Sequence, residues 1–427
     1  MSKFQIILLV VFGFFILLAV AVFSTYRSGS GSDNAAVTIW GEISSRDFSQ
    51  FLANSGLNND ENVSITYVEK SPETIDTEFT EALAQGIGPD LIIITQDKVL
   101  KEKPKIIPIP YESIGEKDFK KTFIEEAELL LAQEGIYGLP LSIDPFVLYY
   151  NRDLLSAAGM AQPMGYWDEI YAAATKLTKK DAALNITQSV MALGESRNIP
   201  HSKDILSLLM MQAGTAIVSL GVQGLNSELL NNYRLPVSPA ESALEFYTQF
   251  SNPTKSFYSW NRSLLDAQTN FTSGASAYYL GYASELRVLK NKNPTLNLAV
   301  ASVPQSRVSG KVLTFGKLSL VAIARGTKNS SAALAVATKL VSNTSAKALS
   351  DILEVPPARR DLLSEKSSDA IFSVFYEGAI QARAWLDPNN KETKNIFTEM
   401  IESVTSGRAR VNEALREADK DLKAILE

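Results

Sequence analysis

IYGLPLSIDPFVLYYNRDLLSAAG, residues Ile136–Gly159, is the stretch that decides the fold. Gly138, Pro140 and Pro145 interrupt its first half, so we predict neither a helix nor a central strand there. A turn-rich segment of this kind suits a crossing of the chain from one lobe to another. Asp144 lies in the crossing, and the proline that follows it restricts its backbone. A carboxylate held at a lobe junction is well placed to contact a ligand between the lobes.

The second half of this stretch predicts regular structure. Residues 146–150 have the pattern of a short apolar strand, and residues 152–158 that of a helix, which Gly159 can end in a left-handed conformation. Further upstream, apolar strands with an amphipathic helix among them are predicted at 37–39, 64–68 and 91–95. Strands alternating with helices at this spacing indicate a parallel sheet covered on both faces.

Composition excludes several classes of protein. At 427 residues the chain is long for one domain, so two lobes are expected. A net charge of -6 argues against a nucleic-acid-binding surface. The chain has no cysteine and one histidine, His201, which excludes disulfides, thiolate chemistry and any metal site that needs two imidazoles. We interpret His201 as a surface residue near the start of a helix.

The N-terminus carries an uncharged, mostly apolar run, Phe4–Phe23. At about 1.5 Å per residue, a helix of this length spans the roughly 30 Å hydrocarbon core of a bilayer. We therefore predict one transmembrane helix within an anchor at 1–27, and a flexible linker at 28–36. The alternative is a signal peptide cleaved near Ala19–Ala21. In both cases the remainder of the chain is expected outside the cytoplasm.

Several short motifs together resemble a known family, the extracellular solute-binding proteins of ABC importers, which include maltose- and other sugar-binding proteins. In chain order they are GPDLI (88–92), YGLP (137–140), YYNRDLL (149–155), WDE (167–169), FTSGASA (271–277), GY (281–282) and SGR (406–408). Each is weak alone. Their order and spacing over 37–427 carry the resemblance.

The resemblance implies an α/β, two-lobed periplasmic-binding-protein-like fold with hinge crossings, in which the ligand binds between the lobes. Lobe I would comprise 37–143 and 308–350, and lobe II 144–304 and 355–427. Further crossings are expected near 306–311 and at Pro356-Pro357. The partners implied are a small solute and the permease subunits of an ABC transporter, with the protein acting as a monomer.

Candidate ligand contacts in lobe I follow the ends of strands, where ligands bind in open α/β sheets. Trp40 would supply an apolar ring face for a sugar, and Glu42 and Asp97 carboxylates for its hydroxyls. Lys98 is implied by the resemblance as a basic contact. The alternatives are a tryptophan lid over the lobe core and ordinary solvated loop charges.

Other candidates lie at the crossings and in lobe II. The resemblance places Asp144 at an acidic contact and Tyr282 beside a stacking position. Gly316 would let a ligand approach backbone N–H groups, and Trp385 would overhang the cleft. The alternatives are a turn residue for Asp144, packing under the lobe edge for Tyr282 and ordinary packing for Trp385. The family's ligand-contacting tryptophan is replaced by Ile94, so specificity for maltose oligomers is not implied.

We predict from these patterns a binding protein, not an enzyme, that captures a carbohydrate or similar small solute and delivers it to an ABC transporter. Neither a cofactor nor a metal is expected. G-x-S-x-G, Walker A and G-x-G-x-x-G motifs are all missing from the sequence. Two alternatives stay open, a ligand-sensing receptor subunit of the same fold and a secreted glycan-degrading enzyme.

Overall fold

The computed structural model describes residues 35–59, 63–221, 224–307, 310–365 and 367–426. The predicted anchor at 1–27, and nearly all of the linker at 28–36, lie outside the described residues. Within these ranges, the longest helices are too polar or too short to cross a bilayer.

The main sheet contains nine strands, and its central path runs β12-β7-β14-β3-β1-β2. Of the other three, β13 pairs with β7, and β4 and β15 pair with β14. The strands are β1 (Ala35–Gly41), β2 (Val63–Glu69), β3 (Leu91–Thr95), β4 (Ile106–Ile107), β5 (Leu131–Ala132), β6 (Gly135–Ile136), β7 (Leu139–Asn151), β8 (Lys179–Lys180), β9 (Ile186–Gln188), β10 (Val218–Gly221), β11 (Gly224–Ser227), β12 (Tyr278–Tyr282), β13 (Leu298–Ala301), β14 (Thr314–Ala324) and β15 (Ala382–Arg383).

Helices cover the sheet. They are α1 (Ser45–Asn54), α2 (Ile75–Ala84), α3 (Val99–Glu102), α4 (Glu116–Thr122), α5 (Arg152–Ala157), α6 (Ile170–Leu177), α7 (Ser202–Ala213), α8 (Pro239–Thr248), α9 (Ala267–Thr272), α10 (Leu286–Lys292), α11 (Ser330–Leu340), α12 (Asn343–Leu353), α13 (Arg360–Leu363), α14 (Ala370–Gln381), α15 (Asn390–Thr405) and α16 (Val411–Leu426).

The apolar patterns predicted several of these elements closely. Strand β3 has the bounds that its LIIIT sequence predicts, and β1 pairs in parallel with both β2 and β3. Helix α5 begins where the Asn151 side chain accepts hydrogen bonds from the next turn. Gly159, just beyond its end, has a φ of 69°, the left-handed conformation that was expected there.

The prediction that no central strand runs through 136–145 is wrong, because β7 extends without interruption from Leu139 to Asn151. Both prolines lie where a missing N–H is tolerated. Pro140 sits at a register shift in the pairing with β14, and Pro145 is the last residue of β7 paired with that strand. From Phe146 onward, β7 pairs with β12, and over residues 148–151 it also pairs with β13. The proline therefore marks the point where the strand changes partners.

Two hydrophobic cores share this sheet. The first core contains β1, β3, the part of β7 up to Ile143 and the part of β14 from Leu318. The second core contains β7 from Phe146 and Phe315 of β14, together with the helices around Trp260. Both long strands thus pass from one core to the other in the space of a few residues.

The residues between the cores face each other. Asp144 of β7 and Lys317 of β14 are partners in the antiparallel register. Strand β14 passes from the second core to the first between Phe315 and Leu318. This point lies further along the chain than the crossing predicted at 306–311. Ala358 and Ala379 pack in the first core, although they lie beyond the predicted start of the last part of lobe II. The lobe boundaries themselves stay a prediction.

The tight packing at this junction can be tested by a substitution at Gly316. A Cβ on Gly316 would lie 2.4 Å from Oε2 of Glu126, 2.7 Å from Cβ of Ala382 and 2.8 Å from Cδ1 of Ile143. We expect Gly316→Ala to lower the free energy of unfolding by about 1–3 kcal/mol, because these neighbours must shift. Urea unfolding measures it.

A matched control exists in Gly165→Ala, since no atom lies within 4 Å of the added Cβ. That variant should change stability by less than about 0.5 kcal/mol. Equal effects of the two substitutions would contradict the packing account. The packing shows why no side chain fits at Gly316, and its predicted role beside a ligand stays a prediction.

Candidate ligand-binding site

A cavity of about 300 Å³ lies where the two cores meet. From the first core come Gln96 and Asp97, which directly follow β3, and from β14 come Phe315 and Lys317. The remaining wall is formed by the start of α7 and by the segment that leads into α15, namely Pro200, His201, Lys203, Asp204, Trp385, Asp387, Asn390 and Lys394. The C-terminal end of a parallel strand, the usual ligand edge of an α/β sheet, therefore opens into this cavity.

Gln96 and Asp97 are held in different ways. The amide of Gln96 accepts from the Leu318 N–H at 2.7 Å and donates to the Gly316 carbonyl at 3.3 Å, so it ties β3 to β14. Asp97 accepts a hydrogen bond from Thr95 and another, 2.5 Å long, from the side chain of Asn390. This second bond joins a loop of the first core to helix α15 beside the second core.

One side of the cavity is a buried ion pair between Lys203 and Asp387. The Lys203 ammonium also donates to Asn390 at 2.7 Å and to Thr393 at 2.8 Å, and it lies 5.3 Å from the ring centre of Trp385. Burial raises the pKa of Asp387, and the nearby ammonium offsets part of that effect. With all three N–H donors used, Lys203 serves mainly to hold this wall together.

The opposite side is built around His201. Its Nε2 lies 2.8 Å from Glu285 and its Nδ1 3.7 Å from Asp204. Burial lowers the pKa of His201, but the hydrogen bonds to the two carboxylates outweigh it and raise the pKa to about 9. His201 is therefore a protonated, paired residue in the cavity wall at neutral pH. The side chain is 21% exposed, so the prediction of an ordinary surface histidine is wrong, although it does precede a helix.

The floor of the cavity lies where β7 and β14 pass from one core to the other. Asp144 accepts a hydrogen bond of 3.0 Å from the Ser284 N–H, and burial raises the pKa of Asp144 to about 6. Lys317 places its Nζ 4.5 Å from the ring centre of Tyr282, whose hydroxyl donates to Asp204 at 3.0 Å. Carboxylates, an ammonium group and an aromatic ring thus meet within one small volume.

The structure brings only some of the predicted site residues together. Asp97 and Trp385 line the cavity, and Asp144 and Tyr282 lie directly behind its wall, beside Lys317. Gly316 lies next to Lys317 on β14, and the side where a Cβ would be is packed against Glu126, Ala382 and Ile143.

The other predicted residues lie outside this cavity. Lys70 lies 3.9 Å from the ring centre of Trp40 and occupies one of its faces. Lys98 pairs with Glu42 at 2.8 Å and with Asp76 at 3.2 Å. Burial lowers the pKa of Lys98, and these two carboxylates more than compensate and raise it. Trp40, Glu42 and Lys98 thus already have partners at the surface of the first core. Their role as ligand contacts stays a prediction.

Sequence reasoning missed most of the charged wall. Lys203, Asp387 and Asn390 come together from positions far apart in the chain, and nothing in their local sequence marks them. Lys317 directly follows Gly316, a predicted site residue. Its position near a predicted crossing was therefore the signal that could have found it.

Together, the fold and the cavity define a ligand-binding protein with an α/β architecture of two cores. The sequence model of the bacterial extracellular solute-binding proteins matches residues 53–372, most of the chain. The chain belongs to this family. The predicted resemblance is thereby confirmed, as is the prediction of a binding protein in place of an enzyme.

Solved structures share the fold. A cyclo/maltodextrin-binding protein complexed with maltotetraose superposes with a TM-score of 0.74 at 16% identity, covering 91% of this chain and 96% of that one. An ABC transporter solute-binding protein of Thermotoga lettingae bound to α-D-tagatose gives 0.68 at 19% identity, covering 92% and 100%. The maltose-binding protein of Listeria monocytogenes in complex with maltose gives 0.70 at 17%, covering 92% and 98%.

Relatives by sequence are binding proteins of Brucella abortus and Brucella suis, which are 32% identical over 100 residues. The match covers 23% of this chain and 24% of the length of those proteins.

Proposed function

We propose that this protein captures a carbohydrate in the cavity between its two cores and delivers it to an ABC importer. The observation that carries the proposal is the cavity wall itself, where carboxylates, an ammonium group, an amide and a tryptophan converge at the crossing strands. Sugars need this combination, because their hydroxyls both donate and accept hydrogen bonds. Maltotetraose, tagatose and maltose, the ligands named for the structural neighbours, support the same class of ligand.

In the proposed mechanism, each of the two hydrophobic cores corresponds to one lobe. Ligand contacts from both cores, such as Asp97 on one side and Trp385 on the other, would favour a closed arrangement. The closed form would then be the one that permease subunits bind. The Phe4–Phe23 run would act as a single-pass anchor, with the folded part outside the cytoplasm.

A thermal-shift screen tests the proposal. The full chain would be purified in a detergent without a sugar headgroup and mixed with neutral mono- and disaccharides, longer glucans, amino acids and polyamines. We expect at least one sugar to raise the melting temperature, because a ligand at 100 times its dissociation constant adds about 2.7 kcal/mol to stability. Stabilisation by amino acids or polyamines alone would contradict a carbohydrate function, and so would no stabilisation by any compound.

A further inference from the structure

We propose that Lys317 is the central hydrogen-bond donor to the ligand and that the site takes a mono- or disaccharide in preference to longer oligosaccharides. This inference rests on the proposed function, and it specifies the size of the ligand and a residue that binds it.

Lys317 differs from the other buried cations of the cavity. Lys203 has three acceptors and His201 has two carboxylates. By contrast, the Lys317 ammonium makes neither a hydrogen bond nor an ion pair within 4 Å with any residue that the structure describes. Its contact is with the ring of Tyr282, 4.5 Å from Nζ. An ammonium group has three N–H donors, and Lys317 is a half-buried residue that lines the cavity. The free donors of Lys317 therefore face the space that a ligand would occupy.

The charges around Lys317 keep its ammonium protonated. Burial lowers the pKa of Lys317, but the carboxylates of Asp204, Asp97, Asp144 and Glu285 outweigh it and raise the pKa. A sugar hydroxyl suits this site, because its oxygen can accept from Lys317 while its hydrogen is donated to a carboxylate.

The cavity also limits the size of the ligand. Its volume of about 300 Å³ is at the lower end of the roughly 300–1,000 Å³ of ligand pockets. The aromatic rings in and behind the wall are already engaged, since Phe397 stacks on Trp385 with ring centres 6.1 Å apart and Lys317 lies over Tyr282. Extended stacking of a long oligosaccharide has little ring surface to use. A mono- or disaccharide fits better.

The first test uses the wild-type chain and needs no variant. Mono- and disaccharides that raise its melting temperature would be compared by calorimetry with longer oligosaccharides of the same sugar. We expect the longer oligosaccharides to bind at least about tenfold more weakly. Equal or tighter binding of the longer oligosaccharides would overturn the inference while leaving a carbohydrate function intact.

The second test replaces the lysine. Lys317→Met keeps the length of the side chain and removes its donors, and we expect it to weaken binding of the sugar at least about tenfold. The control Lys101→Met removes an exposed lysine that pairs with Asp76 outside the cavity, and it should leave affinity within about twofold. Circular dichroism would verify folding, and Lys317→Gln serves if the methionine variant does not fold. Unchanged affinity in a folded Lys317 variant would overturn the inference, whereas failure of every sugar to bind would overturn the proposed function itself.

Discussion

Replacing Lys203 by methionine is expected to lower the free energy of unfolding by about 3–5 kcal/mol. The substitution leaves the Asp387 carboxylate, which is 4% exposed, without its ammonium partner. Burial already raises the pKa of Asp387, so the unpaired carboxylate must either be protonated or stay charged with only the Thr393 hydroxyl and the Asn389 N–H as donors. Urea unfolding at pH 7 measures the loss.

The matched control removes both charges. In Lys203→Met/Asp387→Leu no buried charge is left unpaired, so we expect the double variant to regain more than half of the lost stability. A third variant, Lys394→Met, changes an exposed lysine at the same cavity and should cost less than about 0.5 kcal/mol. A double variant as unstable as the single one would contradict the account of this ion pair.

Replacing Glu126 by glutamine is expected to flatten the pH dependence of stability. Glu126 is 2% exposed, and its carboxyl oxygens have no hydrogen-bond partner among the described residues. Burial raises the pKa of Glu126 from 4.5 to about 8, with Arg383 opposing. Between pH 4.5 and about pH 8, Glu126 keeps its proton in the folded chain but releases it in the unfolded chain. Stability from this group is therefore complete below pH 4.5 and is lost as the pH rises towards 8, by about 3 kcal/mol between pH 5 and 8.

Urea unfolding of wild type and Glu126→Gln from pH 5 to 8 measures this difference. Contributions from His201, whose pKa is also raised, are common to both chains and cancel in the comparison. Glu125→Gln is the control, because Glu125 is an exposed residue that pairs with Arg383. Parallel stability curves for wild type and Glu126→Gln would contradict the assignment of a buried, protonated carboxyl.

The fold was predictable where a local pattern decides it. The run LIIIT at Leu91–Thr95 predicted a strand covered on both faces, and Gly159 was placed to end a helix. Proline was misleading in β7, because its effect depends on the neighbouring strands. Pro145 lies at the point where pairing with β14 ends and pairing with β12 begins, and the sequence of β7 alone does not reveal that change.

The site was predictable only where a residue follows a recognisable strand or crossing. Asp97 and Asp144 were singled out for that reason, and Trp385 as an aromatic residue with a plausible position. Their contact with a ligand stays a prediction. His201 was misread because its partner Glu285 lies far along the chain. Lys203 and Lys317 look like surface lysines in the sequence, and their burial is a consequence of how the two cores meet.

A crystal structure of the full chain with a sugar that raises its melting temperature tests the central claim most directly. The account predicts one or two sugar rings in the cavity at the crossing strands, with a hydroxyl oxygen within about 3.2 Å of the Lys317 ammonium and further contacts to Asp97 and to Trp385. A sugar bound away from this cavity, or one in it that leaves Lys317 without a ligand oxygen, would contradict the account.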